Sequence, residues 1–223
     1  MSVRKVSFVS GEYYHLYNRG NSKQKIFHDK EDHLHFLGLL YACNQKENLK
    51  VDNLRKGQNL FDIDRTSQLV HIGAYCLMPN HFHILVTQPK NGDISRFMQK
   101  LSTAYAMYYN KKYERTGGLF EGKFKSEHSG TDRYLKYLFS YIHLNPVKLI
   151  DSKWRTHGIR NKETAVGYLK QYVYSSFLDY LGIHRTQNKI LDIRLFPRYF
   201  STPKDFLAEI FEWLSYNEPE LET

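Results

Sequence analysis

The polar and apolar pattern of the first part of the chain predicts a strand followed by a helix. Residues Glu12–Arg19 are rich in aromatic side chains and end at Gly20, a pattern typical of a strand that enters a turn. Asp29 is a candidate N-cap for a helix over Lys30–Asn44, because large apolar residues recur there at helical spacing. Residues 47–68 are polar and lack a clear period, which predicts a long loop.

A β-hairpin and a second helix are predicted next. Two β-rich runs, Leu69–Met78 and Phe82–Gln88, are separated by Pro79-Asn80, a strong turn signal, so they should pair in antiparallel fashion. Asp93 then precedes a helical pattern over Ile94–Tyr113 and is the expected N-cap.

The last two elements of the core pattern are an edge strand and a helix. Leu119–Ser129 alternates polar and apolar residues like a strand at the edge of a sheet. Thr131 or Asp132 is expected to cap a helix that reaches Asn145 and stops at Pro146, since proline lacks the backbone donor that a helix needs.

The order β-α-β-β-α-β-α predicts an α+β fold, with helices packed on one antiparallel sheet in a ferredoxin-like or RNA-recognition-like arrangement. We expect residues 1–150 to form one catalytic or binding domain and residues 151–223 to form a C-terminal tail. Within the tail, Ser175–Leu181 and Lys204–Tyr216 have helical patterns, and the end of the tail is acidic.

Charge adds a candidate partner. The net charge of +9 is unevenly distributed, because residues 204–223 contain one Lys and six carboxylates. The remaining residues therefore carry an excess of about 14 positive charges together with many aromatics, a composition typical of proteins that bind single-stranded nucleic acid. An ordinary basic enzyme surface is the alternative. The apolar runs are too short for a membrane span, and no signal-peptide pattern opens the chain, so a cytoplasmic location is expected.

A His-x-His pair is the first candidate for chemistry. In a strand, His81 and His83 project to the same face while Phe82 points into the core, so the two imidazoles could bind a metal ion together. Two half-buried structural histidines are the alternative. Metallohydrolases with this motif commonly carry an acidic residue two positions further on, and here that residue is Leu85.

A tyrosine near the end of the last core helix is the second candidate. Tyr141 and Asn145 are four residues apart and share a helix face, with Tyr137 one turn earlier. A phenol can attack a phosphodiester to form a covalent intermediate, and an amide oxygen can bind a metal. From the residues alone, core aromatics and a helix cap before proline explain the same pattern.

Four motifs occur in order: Tyr14–Gly20 (YHLYNRG), Met78–His83 (MPNHFH), Gly118–Phe124 (GLFEGKF) and Tyr141–Lys148 (YIHLNPVK). In these motifs the chain resembles the single-tyrosine transposases of the HUH superfamily, most closely their REP-associated branch. The resemblance extends over residues 10–182.

The resemblance implies a metal-dependent DNA transposase. His81 and His83 would bind Mg²⁺ or Mn²⁺, Asn145 would complete the metal site, and Tyr141 would form a 5′-phosphotyrosine link to single-stranded DNA. Many insertion-sequence relatives have Gln in place of Asn145, whereas the REP-associated branch has Asn, so this residue supports the resemblance to that branch. The protein would act on hairpin-forming repeats as a monomer or a homodimer.

Several side chains are candidates for DNA contact because they lie near these motifs or on basic faces: Arg19, His15, Asn18, Lys123, Lys125 and Lys148. Two other functions stay open. A binding module of RNA-recognition-like fold would hold single strands or hairpins without cleaving them, and a metal hydrolase would use an activated water and form no covalent adduct.

Overall fold

The computed structural model describes residues 7–47 and 59–212. Half of the predicted loop, residues 48–58, and the acidic end of the tail lie outside these residues. The part of the loop that is described includes a short 3-10 turn, Leu60–Asp62, whose Phe61 packs against Tyr41 at 5.5 Å between ring centroids.

One antiparallel sheet of four strands forms the centre of the fold. The strands are β1 (Tyr13–Arg19), β2 (His71–Met78), β3 (His81–Thr87) and β4 (Lys125–His128), in the spatial order β2-β3-β1-β4. The predicted hairpin is confirmed, since β2 and β3 pair on either side of a two-residue turn.

The edge strand is shorter than predicted. Between Phe120, which makes an isolated bridge to Gly20, and the start of β4, the chain turns back at Gly122 with a φ of 68°. The amide of Asn18 donates to the Gly122 carbonyl at 3.3 Å and holds this turn. Alternation of side chains therefore begins only at Lys125.

Three helices cover the two faces of the sheet. Helices α1 (Lys30–Ala42) and α2 (Asp93–Lys112) pack on the face that carries the apolar residues of the strands. Helix α3 (Asp132–Leu144) packs on the opposite face. This architecture confirms the predicted α+β class, and the sheet is left with one apolar face and one face where polar side chains meet α3.

The helix ends show which caps the chain uses. Asp29 and Thr131 cap α1 and α3 as predicted, each accepting a hydrogen bond from a backbone N–H in the first turn. Asp93 is not a cap: Gly92, with a φ of 93°, takes that position because a left-handed backbone there favours glycine, and Asp93 is the first helical residue.

Proline does not end the chain's helical path after α3. The α-helix ends at Leu144, but Asn145–Leu149 continues as a 3-10 turn with Pro146 in its first positions. Proline is tolerated there because the N–H groups at the start of a helix have no partner within it. Asn145 is thereby kept in helical conformation one turn after Tyr141.

The residues after 150 pack on the β2 side of the sheet. They form α4 (Trp154–His157), α5 (Lys162–Gln171), α6 (Phe177–Tyr180) and α7 (Pro203–Glu209). The first predicted tail helix exists in shorter form as α6 and the start of the second as α7, while residues 213–216 of the second lie outside the described residues. The backbone N–H of Leu77 donates to Tyr174 at 3.0 Å, which joins this segment to the sheet edge. None of the described helices is long and apolar enough to span a membrane.

Candidate active site

Antiparallel pairing places the two histidines of β3 beside β1 on the sheet face under α3. His81 and His83 lie on the same face with ring centroids 4.9 Å apart, while Phe82 packs into the core on the other face. His83 is 1% exposed, and His81 is half-buried at the mouth of a pocket. The two imidazoles are thus neighbours, one deep and one near solvent.

Hydrogen bonds leave one nitrogen of the deeper ring free. His83 Nδ1 lies 2.9 Å from His15 Nε2, and His81 Nδ1 lies 2.6 Å from the side-chain oxygen of Asn80. His83 Nε2 is buried and has no hydrogen-bond partner among the described residues. A buried nitrogen with a free lone pair is a strong acceptor for a cation.

Both histidines are held neutral by their surroundings. Burial lowers the pKa of His81 to about 4, with the nearby Lys148 charge acting in the same direction and Asn145 acting against it. Burial, together with the neighbouring His81, also lowers the pKa of His83 well below its ordinary value. Neutral imidazole is the form that binds metal, so the pair is ready to do so at neutral pH.

Tyr141 approaches these rings from α3. Its ring centroid lies 5.4 Å from that of His83 and 5.8 Å from that of His15, both edge-to-face. The side chain is 1% exposed, and its hydroxyl has no hydrogen-bond partner within the described part of the chain. Burial raises the pKa of Tyr141 to about 12, although Arg155 and Asn145 both act to lower it.

Arg155 is a site residue that sequence reasoning missed. Its guanidinium carbon lies 4.9 Å above the Tyr141 ring, a cation–π distance. Arg155 follows Trp154, which is 3% exposed and anchors α4 in a separate apolar cluster of the C-terminal segment. No motif marks Arg155, because its position depends on how this segment folds back over α3.

Other tyrosines of the chain are engaged elsewhere. Tyr134 donates to Glu127 at 2.9 Å, and Tyr108 and Tyr113 donate to Asp32. Tyr137 stacks on Tyr141 with ring centroids 5.9 Å apart. Tyr141 is the tyrosine of α3 that faces the histidine pair.

A pocket of about 550 Å³ opens beside His81 and His83, and basic side chains line it. Lys125 and Lys148, two of the residues that the sequence suggests for DNA contact, are exposed in its wall. Arg19 also lines the pocket but forms a two-pronged ion pair with Glu121, its Nη2 at 3.0 Å from the carboxylate. The wall is therefore cationic next to the histidines, which suits a nucleic-acid backbone.

Three predicted DNA contacts have other surroundings. His15 is 1% exposed and bonded to His83, so a direct DNA contact does not fit its burial. Asn18 is 5% exposed and is used to hold the Gly122 turn. Lys123 is exposed but lies in that turn, outside β4, so strand alternation does not place it on the face of Lys125.

The donor set fits a divalent cation with few protein ligands. Within residues 7–47 and 59–212, no group of three or more His, Cys, Asp or Glu side chains could hold a metal. A metal here would depend on His81, His83 and the amide of Asn145, which is 4% exposed and acts on both His81 and Tyr141. Two neutral imidazoles and an amide oxygen leave coordination positions open for phosphate oxygens.

The site thus consists of a His-x-His pair on the sheet that faces a tyrosine on a helix. Residues 44–145 match the family described as IS200-like transposases. The structure of a REP-associated tyrosine transposase bound to a REP hairpin shares the fold, with a TM-score of 0.50 and 13% identity over 84% of this chain and 90% of that chain. No curated protein matches the sequence. Both comparisons thus agree with the resemblance that the four sequence motifs carry.

Proposed function

We propose that the protein is a single-tyrosine transposase of the HUH type, which cleaves and rejoins single-stranded DNA at hairpin-forming repeats through a covalent 5′-phosphotyrosine intermediate on Tyr141. The observation that carries the proposal is the meeting of the unpartnered Tyr141 hydroxyl with the His81–His83 pair and with Asn145. A nucleophile, cation ligands and a basic pocket are then within one site.

A divalent cation, Mg²⁺ or Mn²⁺, held by His81, His83 and Asn145 would supply charge to stabilise the scissile phosphate. The chain's own residues supply the rest. Tyr141 loses its phenolic proton as its oxygen forms a bond to phosphorus, and the bond from phosphorus to the 3′ oxygen breaks. The 3′ oxygen takes up a proton and leaves as a 3′-OH. The phosphotyrosine keeps the energy of the broken bond, so another 3′-OH can reverse the step on a new strand.

Arg155 acts on the nucleophile in this scheme. Burial disfavours the phenolate of Tyr141, and the guanidinium charge over the ring acts in the opposite sense. The same charge would neutralise part of the negative charge that builds up on the phosphate as Tyr141 attacks. Arg155 therefore makes the buried tyrosine easier to ionise when DNA is bound.

Binding is assigned to the cationic pocket. Lys125 and Lys148 would contact the backbone on either side of the histidines, and Arg19 would join them where DNA phosphate competes with Glu121. That a protein of the same fold binds a REP hairpin supports hairpin DNA as the ligand class. We also propose a cytoplasmic location, because the two cysteines are free and buried, as is typical of proteins in a reducing compartment.

Residues 7–150 would hold the nucleophile and the metal ligands, while the segment from 151 onward contributes Arg155. This division keeps the predicted catalytic domain and gives the tail a part in the site.

The test is a covalent-adduct assay. Labelled single-stranded hairpin oligonucleotides are incubated with the protein and Mn²⁺ or Mg²⁺, and the products are separated on a denaturing gel. Wild-type protein and Tyr137→Phe should both give a metal-dependent protein–DNA band, and Tyr141→Phe should give none. A band that persists in Tyr141→Phe would move the nucleophile elsewhere.

Two further results would replace the proposal. Cleavage without a covalent band would indicate a hydrolase that uses water. Tight hairpin binding with neither cleavage nor a band, across oligonucleotides that vary the sequence flanking the hairpin, would indicate a binding module.

A further inference from the structure

A chain of three side chains crosses the sheet beneath α3 and ends at the proposed metal site. Glu127 Oε2 lies 3.9 Å from His15 Nδ1, and His15 Nε2 lies 2.9 Å from His83 Nδ1. The last atom of the chain is His83 Nε2, the buried nitrogen without a partner among the described residues. The carboxylate, the middle imidazole and the candidate ligand thus form one line.

Strand register builds this line. His15 of β1 pairs directly with Glu127 of β4 and with Leu85 of β3. His83 is two residues from Leu85, so it is the diagonal neighbour of His15 on the same sheet face. His15 is stacked against both Tyr17 and His83, with ring centroids 5.0 Å apart in each case, and has no room to turn away.

The carboxylate at the far end is firmly placed. The Tyr17 hydroxyl donates to Glu127 Oε1 at 2.8 Å, and the Tyr134 hydroxyl donates to Oε2 at 2.9 Å. Although burial opposes it, these bonds and the contact with His15 lower the pKa of Glu127, which keeps the group ionised. A fixed negative charge therefore faces His15 Nδ1, whose environment in the described residues offers no other polar partner.

The negative charge of Glu127 determines which ring nitrogens of His15 and His83 carry a proton. A carboxylate beside His15 Nδ1 favours the proton on that nitrogen, which leaves His15 Nε2 as an acceptor. His83 Nδ1 must then donate to it, since a hydrogen bond at 2.9 Å between two ring nitrogens needs one proton. His83 Nε2 is left with its lone pair directed into the site.

We propose that His15 and Glu127 are positioning residues, which hold His83 in the tautomer and orientation that bind the catalytic cation. The inference rests on the proposed function, because it takes His83 as a cation ligand. Outer partners of this kind raise the basicity of a ligating imidazole, and their loss typically weakens metal binding by about 10–100-fold. A histidine that only fills space in the sheet would leave cation affinity unchanged when replaced by a ring of similar size.

The experiment measures Mn²⁺ binding to the full chain without DNA, by electron paramagnetic resonance of free Mn²⁺. His15→Phe keeps a planar ring and removes both nitrogens, so we expect its Kd to rise about 10–100-fold. His15→Gln can restore an acceptor near the Nε2 position and should recover most of the affinity. Glu127→Gln removes the charge with little change of size and should fall between these two.

His128→Gln is the matched control. His128 also lies in the sheet and pairs with a glutamate, Glu12, at 2.8 Å, but it is exposed and, one residue after Glu127, projects to the opposite face of the sheet. Its Kd for Mn²⁺ should equal that of the wild type. Nitrogen-15 NMR of the wild-type protein should also show His83 protonated at Nδ1, a readout that does not depend on folding of any variant.

The outcomes separate the inference from the function beneath it. If the wild type binds no Mn²⁺, or if His81→Ala binds as tightly as the wild type, the metal site itself is wrong and the inference fails with it. If the wild type binds through His81 but His15→Phe and Glu127→Gln bind equally well, the inference alone is overturned. A proton on His83 Nε2 in the NMR spectrum would overturn it too.

Discussion

Removal of the Tyr141 hydroxyl should abolish chemistry without cost to the fold. The Tyr141 side chain is 1% exposed, and its hydroxyl has no hydrogen-bond partner in the described part of the chain. A buried polar group that makes no hydrogen bond costs about 1–3 kcal/mol of desolvation. Tyr141→Phe removes that cost and keeps the ring contacts with His83 and Tyr137.

The free energy of unfolding should therefore be unchanged or higher by up to about 2 kcal/mol in Tyr141→Phe. For a chain of this size, 2 kcal/mol corresponds to a rise in Tm of about 4–8 °C. Such a gain would show that the wild-type protein is less stable than the variant because it keeps a reactive hydroxyl buried without a hydrogen bond.

Tyr172→Phe is the matched comparison for this prediction. Its hydroxyl is also in a buried tyrosine but donates to the Leu77 carbonyl at 2.6 Å, so its loss should lower stability by about 1 kcal/mol. Urea unfolding followed by circular dichroism gives both values. If Tyr141→Phe loses as much stability as Tyr172→Phe, the Tyr141 hydroxyl has a partner and the argument for a free nucleophile is refuted.

Three further predictions concern charge and packing. Arg155→Ala should slow single-turnover adduct formation by about 10²-fold. Arg160 is a neighbouring exposed arginine, and Arg160→Ala should leave the rate unchanged. Equal rates for the two variants would show that Arg155 does not act in the site. Asp32→Ala should lower the free energy of unfolding at pH 7 by about 3–5 kcal/mol, because Asp32 is a buried carboxylate that accepts hydrogen bonds from a lysine and two tyrosines. The control is Glu31→Ala, which removes an exposed carboxylate and should cost at most about 1 kcal/mol. Burial raises the pKa of Asp32, but these hydrogen bonds outweigh burial and the net shift of the pKa is downward. The stabilisation is therefore present above the ordinary carboxyl pKa and is lost as pH falls through the lowered pKa. A stability difference between wild type and Asp32→Ala that grows at acid pH would contradict this pH dependence. Gly73→Ala should destabilise the fold by about 1–3 kcal/mol, since its Cβ would meet an aromatic ring at 2.6 Å, and unfolding equal to wild type would show that the ring moves aside.

Local chemistry made much of the fold predictable. The hairpin followed from two β-rich runs around Pro79-Asn80, and the shared face of His81 and His83 followed from the two-residue period of a strand. Asp29 and Thr131 were recognisable as caps because a short polar side chain preceded each apolar helical pattern. Each of these features depends on neighbours within a few residues.

Features that depend on distant segments were not predictable in the same way. Strand alternation puts His15 and Tyr17 on one face, but only the strand order puts β1 between β3 and β4 and so buries His15 beneath α3. For the same reason His15 is hydrogen-bonded to His83. Arg155 reaches Tyr141 only because the C-terminal segment folds back, and no local pattern encodes that path.

The position of Tyr141 above the sheet depends on contacts that α3 makes with the C-terminal segment as well as with the sheet. Two residues after Tyr141, His143 is fully buried and its Nε2 lies 2.7 Å from the Ser176 hydroxyl. Ser176 in turn accepts from the Tyr75 backbone N–H of β2 at 3.0 Å, so α3, the segment and the sheet meet at one polar junction. Because a helix that shifts along its axis moves every side chain on it, this junction fixes the distance from Tyr141 to the His81–His83 pair. The C-terminal segment therefore sets the geometry of the site from two sides, through Ser176 at the helix α3 and through Arg155 over the Tyr141 ring.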